Sequence, residues 1–294
     1  MPDVLIVGAG PAGLAAALQL KRYGIDATLI ERGRVGGLLN NANLVENYPG
    51  FPGGISGANL IELFSAQATR IGVEITCDEV VSLDYSNGNF LASGRQGNYS
   101  APVAIIASGT RGKFPDGFKI PEAIKSMVMT EILPIIPAEN KRIMIVGAGD
   151  LAFDYALNLG RKNMVEILNR TKEVKCLPLL WERAQNISSV KYRDQTQLED
   201  VQPGSNGEII LSTVSPSGRQ EFPCDYLVFA IGREPCLDFI ATELHKKRTI
   251  LEQEGKLSFI GDVGNGIFRQ AAIAVGDGIT GAMKVYKTLE EMKQ

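Results

Sequence analysis

Six short apolar runs punctuate the chain: Val4–Val7, Ala27–Ile30, Val103–Ile106, Ile143–Val146, Val165–Leu168 and Tyr226–Ala230. They are nearly continuous in apolar residues rather than alternating with polar ones, the pattern of strands buried on both faces of a parallel sheet. Between them the apolar spacing becomes helical, over Leu14–Arg22 and Leu151–Leu159. Strand, helix and strand in alternation predict an α/β fold assembled from crossover units. A final charged, amphipathic stretch, Gly281–Lys293, reads as a packed terminal helix.

Two turn-rich stretches interrupt this alternation. Gly109–Pro121 is dense in Gly and Pro, and Ile231–Phe239 follows a strongly apolar strand. Both read as hinges around a central insert, which predicts a first domain split into residues 1–111 and 243–294, with a second domain at 112–242 between them. One internal repeat supports the division: VLIVGAGPAGLAAAL (Val4–Leu18) recurs as IMIVGAGDLAFDYAL (Ile143–Leu157).

Each copy carries a glycine-rich turn between a strand and a helix. In the first, Gly8, Gly10 and Gly13 form GxGxxG, so that N–H groups at the helix start can cradle a pyrophosphate. The next strand ends in Glu31, where a carboxylate accepts hydrogen bonds from an adenosine ribose. In the second, Gly147 and Gly149 are followed by Ala152, and the residue equivalent to Glu31 is Arg170. Replacing the acid by a base, with Lys172 and Lys175 nearby, favours a 2′-phosphate. The first loop is therefore expected to take an unphosphorylated adenosine and the second to lean towards NADP.

Composition narrows the field. With 294 residues, 45% of them hydrophobic, and a net charge of -3, the chain has material for one large core or two medium ones and no basic field for nucleic acid. No Lys/Arg run suits a membrane surface, and Val4–Leu20 is broken by Gly8, Gly10, Pro11 and Gly13 where a spanning segment needs continuity. Neither nucleic acid nor membrane is expected as a partner. The four cysteines, Cys77, Cys176, Cys224 and Cys236, show no CxxC spacing, as expected of a reducing cytoplasm. His245 is the only histidine, so no metal site is expected.

GAGPAG at Gly8–Gly13, GGLLNNANLVENYPGFPGG at Gly36–Gly54, IIASGT at Ile105–Thr110, GAGDLA at Gly147–Ala152, DYLVFAIGREP at Asp225–Pro235 and GDVGNGIFRQAAIAVGDG at Gly261–Gly278 together resemble the low-molecular-weight thioredoxin reductases and related two-dinucleotide flavoproteins. The resemblance covers nearly the whole chain. It implies two three-layer, Rossmann-like domains, the nicotinamide domain inserted into a split FAD domain. Carried over residue by residue, it implies that Gly8, Gly10, Pro11, Ala12 and Gly13 hold the FAD pyrophosphate, with Glu31 and Arg32 at the adenosine. Gly36, Gly37, Leu38 and Asn47 resemble the flavin-side loop, and Val80, Ala107 and Gly109 complete the set. Gly261 and Asp262 resemble the turn that bonds the ribityl chain. Arg269, Gln270 and Ala271 resemble a helix start near the pyrimidine edge of the flavin, where N–H groups stabilise the reduced ring. In the insert the implied nucleotide contacts are Gly147, Gly149, Asp150, Leu151 and Ala152, then Arg170 and Lys175, then Gly232 and Arg233.

Three departures qualify the resemblance. The family's GGQL reads GGLL, placing Leu38 where a polar flavin contact stands. Its HRRxxxR reads NRTxxxK at Asn169–Lys175, weakening the NADP signature. Its CxxC is replaced by roughly Thr130–Leu133, TEIL, so the thiol relay that passes electrons to a protein disulfide is missing. The expected protein is an FAD-dependent NADPH oxidoreductase, with NADH as the alternative donor, that gives electrons to a small electron-transfer protein or small molecule. The rival readings are a ferredoxin/flavodoxin–NADP reductase, a disulfide reductase using Cys224 and Cys236, and a non-enzymatic flavin-binding redox sensor. A cytoplasmic homodimer is expected.

Overall fold

The computed structural model describes residues 2–293. The chain opens with β1 (Val4–Val7), α1 (Pro11–Arg22), β2 (Ala27–Glu31), α2 (Gly57–Arg70) and β3 (Ile75–Cys77). It continues through β4 (Val80–Ser86), β5 (Asn89–Gly94), β6 (Asn98–Ala101), β7 (Val103–Ile106) and β8 (Thr110–Gly112). The middle holds β9 (Val128–Met129), β10 (Arg142–Val146), α3 (Asp150–Leu159), β11 (Met164–Leu168), α4 (Pro178–Gln185) and β12 (Val190–Arg193). Then come β13 (Gln197–Pro203), β14 (Ile209–Ser215), β15 (Gly218–Cys224), β16 (Tyr226–Phe229) and β17 (Arg233–Pro235). The chain closes with α5 (Thr242–Gln253), β18 (Leu257–Phe259) and α6 (Ala271–Met292).

Two compact units result. One contains the residues up to Asn40, Val45–Thr110 and those from Pro235 onward; the other contains Asn41–Leu44 and Arg111–Glu234. The chain passes between them along β8 and β17, which pair as a two-stranded ribbon. The sequence reading sets its second crossing at 242–243, on the first turn of α5.

In the first unit the parallel order is β18-β7-β1-β2-β3, with Val4 opposite both Ala27 and Val103. Val4, Leu5 and Ile6 are wholly buried, because helices cover one face and the antiparallel β4-β5-β6 sheet packs on the other side. Each such side chain contributes about 1.5–3 kcal/mol on burial. The helical layer is unusually close: a Cβ at Gly278 of α6 would sit 2.3 Å from the Ala12 carbonyl oxygen of α1. This explains a difference from the sequence reading. The last helix begins at Ala271, where the resemblance implies a helix start, and not at Gly281, where the amphipathic pattern begins, since Gly276, Gly278 and Gly281 lower helix propensity locally while Gly278 lets two backbones meet.

The second unit repeats the plan. Its order, β12-β11-β10-β16-β9, places β10 between β11 and β16 as β1 lies between β2 and β7. Phe153, Tyr155 and Ala156 of α3 pack with Ile143 and Ile145 on one face, and Val201, Ile209 and Leu211 of the β13-β14-β15 sheet pack with Met144 and Leu227 on the other. The duplicated sequence pattern is thus a duplicated topology, each unit having a switch point beyond its glycine-bearing strand.

Candidate functional site

In the first unit the glycine turn is shaped by backbone approach. Gly8 has φ +103°, and a Cβ there would lie 2.4 Å from the Ala107 carbonyl oxygen. A Cβ on Gly13 would lie 1.9 Å from the Gly8 carbonyl oxygen, so strand and helix close only with glycine at both places. Around Gly10 nothing lies within 4 Å, and α1 starts at Pro11 with no side chain capping its first N–H groups. An uncapped helix start beneath open space suits a pyrophosphate.

Other residues singled out from sequence converge there. Glu31 accepts hydrogen bonds from the Ala9 N–H at 2.7 Å and the Gly33 N–H at 2.9 Å, which orient its carboxylate at the strand end. Gly36 donates its N–H to the Ala9 carbonyl at 2.8 Å, and Gly37 stands beside Gly10. Leu38 lies on the short 3-10 helix Gly37–Asn41. Gly261, at φ +70°, packs on Ala12, and Asp262 follows it in a second 3-10 turn, Gly261–Val263. Asn47 donates to the Gln270 side chain at 2.6 Å; Arg269 precedes that residue, and α6 opens at Ala271 without a side-chain cap. Ala107 extends the β1–β7 pairing through its N–H, and the Gly109 carbonyl accepts the Cys236 N–H at 3.0 Å. A cavity at this end is lined by Gly8, Glu31, Arg32, Val80, Ser108 and Cys236.

Asp78, also lining that cavity, was not apparent from sequence. Burial works to raise its pKa, but hydrogen bonds from the Tyr99 hydroxyl and the N–H groups of Gln96, Glu79 and Gly97 outweigh it and hold the carboxyl below its usual value. The carboxylate is committed to ordering the β5–β6 turn, and so shapes the cavity wall. Its only sequence signal is an acid at the end of a short strand.

In the second unit Gly147 (φ +130°) approaches the Ala230 carbonyl as Gly8 approaches Ala107, and Gly149 is again open. α3 begins at Asp150, whose side chain accepts the Leu177 N–H at 2.8 Å; Leu151 follows, and Ala152 is fully buried beneath the turn. The Lys175 N–H reaches the Ala148 carbonyl at 3.1 Å, bringing that lysine's backbone to the loop. Arg170 and Lys175 both have exposed side chains. Gly232 has φ +127° and accepts the Lys113 N–H at 3.0 Å. Arg233 is turned inward, its guanidinium 2.8 Å from the Glu131 carboxylate and its side chain only 10% exposed.

The TEIL segment therefore holds an ion pair, and the Leu133 N–H is taken by the Asn41 side-chain oxygen at 2.7 Å. On α3, burial pushes the Asp154 carboxyl up to about 6, against the lowering influence of the Asn43 and Leu44 N–H groups and Arg161. None of the four cysteines is in a disulfide; Cys77 is exposed, and burial pushes the Cys224 thiol up to about 12. Among the described residues no His/Cys/Asp/Glu cluster could hold a metal ion, and no helix is long and apolar enough to cross a membrane.

Two switch-point sites, each with a glycine turn under an uncapped helix start, define a two-dinucleotide oxidoreductase. The chain belongs to the pyridine nucleotide-disulphide oxidoreductase family, whose model matches residues 2–278. It is 28% identical over 311 residues to a thioredoxin reductase of Chlamydia pneumoniae, covering 97% of this chain and 98% of that protein. It is 29% identical over 308 residues to a thioredoxin reductase of Rickettsia typhi, covering 98% of each. In fold it matches thioredoxin reductase from Lactococcus lactis with a TM-score of 0.85 at 24% identity, over 99% of this chain and 100% of that one. It is thus a thioredoxin reductase-like flavoprotein that works with FAD and a nicotinamide nucleotide.

Proposed function

We propose that the chain oxidises NADPH in preference to NADH and delivers the electrons to an acceptor outside itself, without an intramolecular redox disulfide. The observation that carries this reading is the ion pair Glu131–Arg233 on the segment where the resemblance calls for two thiols. FAD, when bound at this site, would supply two-electron redox chemistry between the nicotinamide and the acceptor. The chain's own part is binding and orientation. Gly8–Gly13 and Glu31 would hold the adenosine diphosphate portion of FAD, while Asp262 and the α6 start at Arg269–Ala271 would address its ribityl and pyrimidine portions. Gly147–Ala152 would hold the nucleotide pyrophosphate, with Arg170 and Lys175 at its 2′-phosphate.

A disulfide reductase based on Cys224 is disfavoured: a thiol that titrates at about 12 supplies little nucleophilic thiolate at neutral pH. The acceptor we favour is a small electron-transfer protein, such as a ferredoxin or flavodoxin, or a quinone. We further propose a homodimer, because Ile273, Ile279, Met283 and Tyr286 leave exposed apolar positions along α6, and a cytoplasmic location, in keeping with four cysteines that form no disulfide. The test is anaerobic reduction with NADPH or NADH, followed by reoxidation with ferredoxins, flavodoxins, quinones and thioredoxins. Reoxidation by thioredoxin alone would refute the reading; so would failure of both nucleotides to reduce the flavin.

A further inference from the structure

The departure NRTxxxK looks from sequence like simple erosion of a phosphate-binding signature. The structure gives its first residue a definite task. Asn169, 6% exposed, uses all its side-chain hydrogen-bonding capacity. Its Nδ2 donates to the Glu173 carbonyl and to the Tyr192 hydroxyl, both at 2.8 Å. Its Oδ1 accepts from the Thr171 N–H at 3.1 Å and the Thr171 hydroxyl at 3.2 Å. Its backbone is clamped as well, the N–H donating to the Arg193 carbonyl at 2.9 Å and the carbonyl accepting the Thr196 N–H at 2.8 Å.

These bonds close the turn 169–173 on itself and fasten it to the end of β12. Beyond it, the chain is fastened to the glycine loop by the Lys175 N–H on Ala148 and the Leu177 N–H on Asp150. Arg170 thus leaves one end of a tied turn and Lys175 the other. Long cationic side chains lose conformational entropy when they grip an anion, and a fixed backbone beneath them lowers that cost. It also fixes the separation of the two charges, and so the anion they can straddle.

We propose that Asn169 is a positioning residue for nucleotide choice, with Tyr192 as its strut: it holds Arg170 and Lys175 in the register that recognises the 2′-phosphate of an adenosine nucleotide. The inference rests on the reading that Arg170 and Lys175 face that phosphate. Asn169 touches no phosphate itself; it acts only through the turn.

The test uses the flavin-loaded full chain and calorimetric binding of 2′,5′-ADP and 5′-AMP, which differ only in the 2′-phosphate and need no electron transfer. Asn169→Asp keeps the acceptor and loses both donations, and should weaken 2′,5′-ADP about tenfold while leaving 5′-AMP within about twofold. Tyr192→Phe removes one bond without altering the charge, and should weaken 2′,5′-ADP selectively by a smaller factor. It remains decisive should the Asp variant fail to fold. Equal weakening of the two ligands would mean that Asn169 merely supports the fold, and unchanged selectivity in Tyr192→Phe would likewise overturn the proposal. Arg170→Ala with Lys175→Ala separates the two levels. If that pair loses selectivity while the Asn169 and Tyr192 variants keep it, the staple is wrong and the phosphate reading stands; if the pair also keeps it, both fall.

Discussion

The Arg233 guanidinium lies 2.8 Å from the Glu131 carboxylate, on the segment where the resembled reductases carry their thiols. Glu131 is 37% exposed and Arg233 10%, so the two partners are unequally solvated. Removing the acid takes its counter-charge from a mostly buried cation, while solvent at the half-exposed carboxylate screens part of the attraction. Glu131→Ala should therefore lower unfolding free energy by about 1–2 kcal/mol, read by urea denaturation at neutral pH. Unchanged stability would mean that the pair is incidental.

Gly13→Val should yield protein without visible flavin absorbance. Its Cβ would fall 1.9 Å from the Gly8 carbonyl oxygen, so the first turn cannot keep the shape that leaves Gly10 open. Full flavin content in the folded variant would show that the cofactor is held elsewhere.

Arg170→Glu should raise the dissociation constant for NADPH by about tenfold or more and that for NADH by less, since a carboxylate repels the 2′-phosphate and has no such partner in NADH. Equal effects on both nucleotides would remove Arg170 from the 2′-phosphate site.

Asp154 sets a pH dependence. Its carboxyl is raised from 3.8 to about 6 in the fold, so the folded state binds the proton more tightly than the unfolded chain. Its contribution is greatest below about pH 4 and falls by up to about 3 kcal/mol as pH rises through 6. Asp154→Asn should remove this slope. Denaturation from pH 4 to 8 should show the variant gaining stability relative to wild type as pH rises; a constant difference would contradict the assignment.

Much of the architecture was legible because parallel strands covered on both faces must be apolar throughout, as Val4–Val7 and Ile143–Val146 are. The glycine turns were legible for a related reason: the close approach of Gly8 to Ala107 and of Gly147 to Ala230 excludes side chains. The antiparallel sheets were less so. Strands such as Gln197–Pro203 are largely exposed and polar, which resembles loop composition. The tie between Asn169 and Tyr192 spans 23 positions and depends on two neighbouring strand ends, and the Asp78 knot joins residues as far as 21 apart. No local pattern marks such bonds. The bond from Leu133 to Asn41, spanning 92 positions, is hidden for the same reason.

If electrons stop at the flavin and wait for an external acceptor, as proposed, the flavin is the one electron-accepting group between NADPH and that acceptor. Anaerobic titration with NADPH counts the electron-accepting groups directly. Full flavin reduction should require about one equivalent of NADPH per bound FAD, with no new thiols on alkylation after quenching in denaturant. A requirement for about two equivalents, accompanied by two newly alkylated cysteines per chain, would mean that a redox disulfide stands between flavin and acceptor.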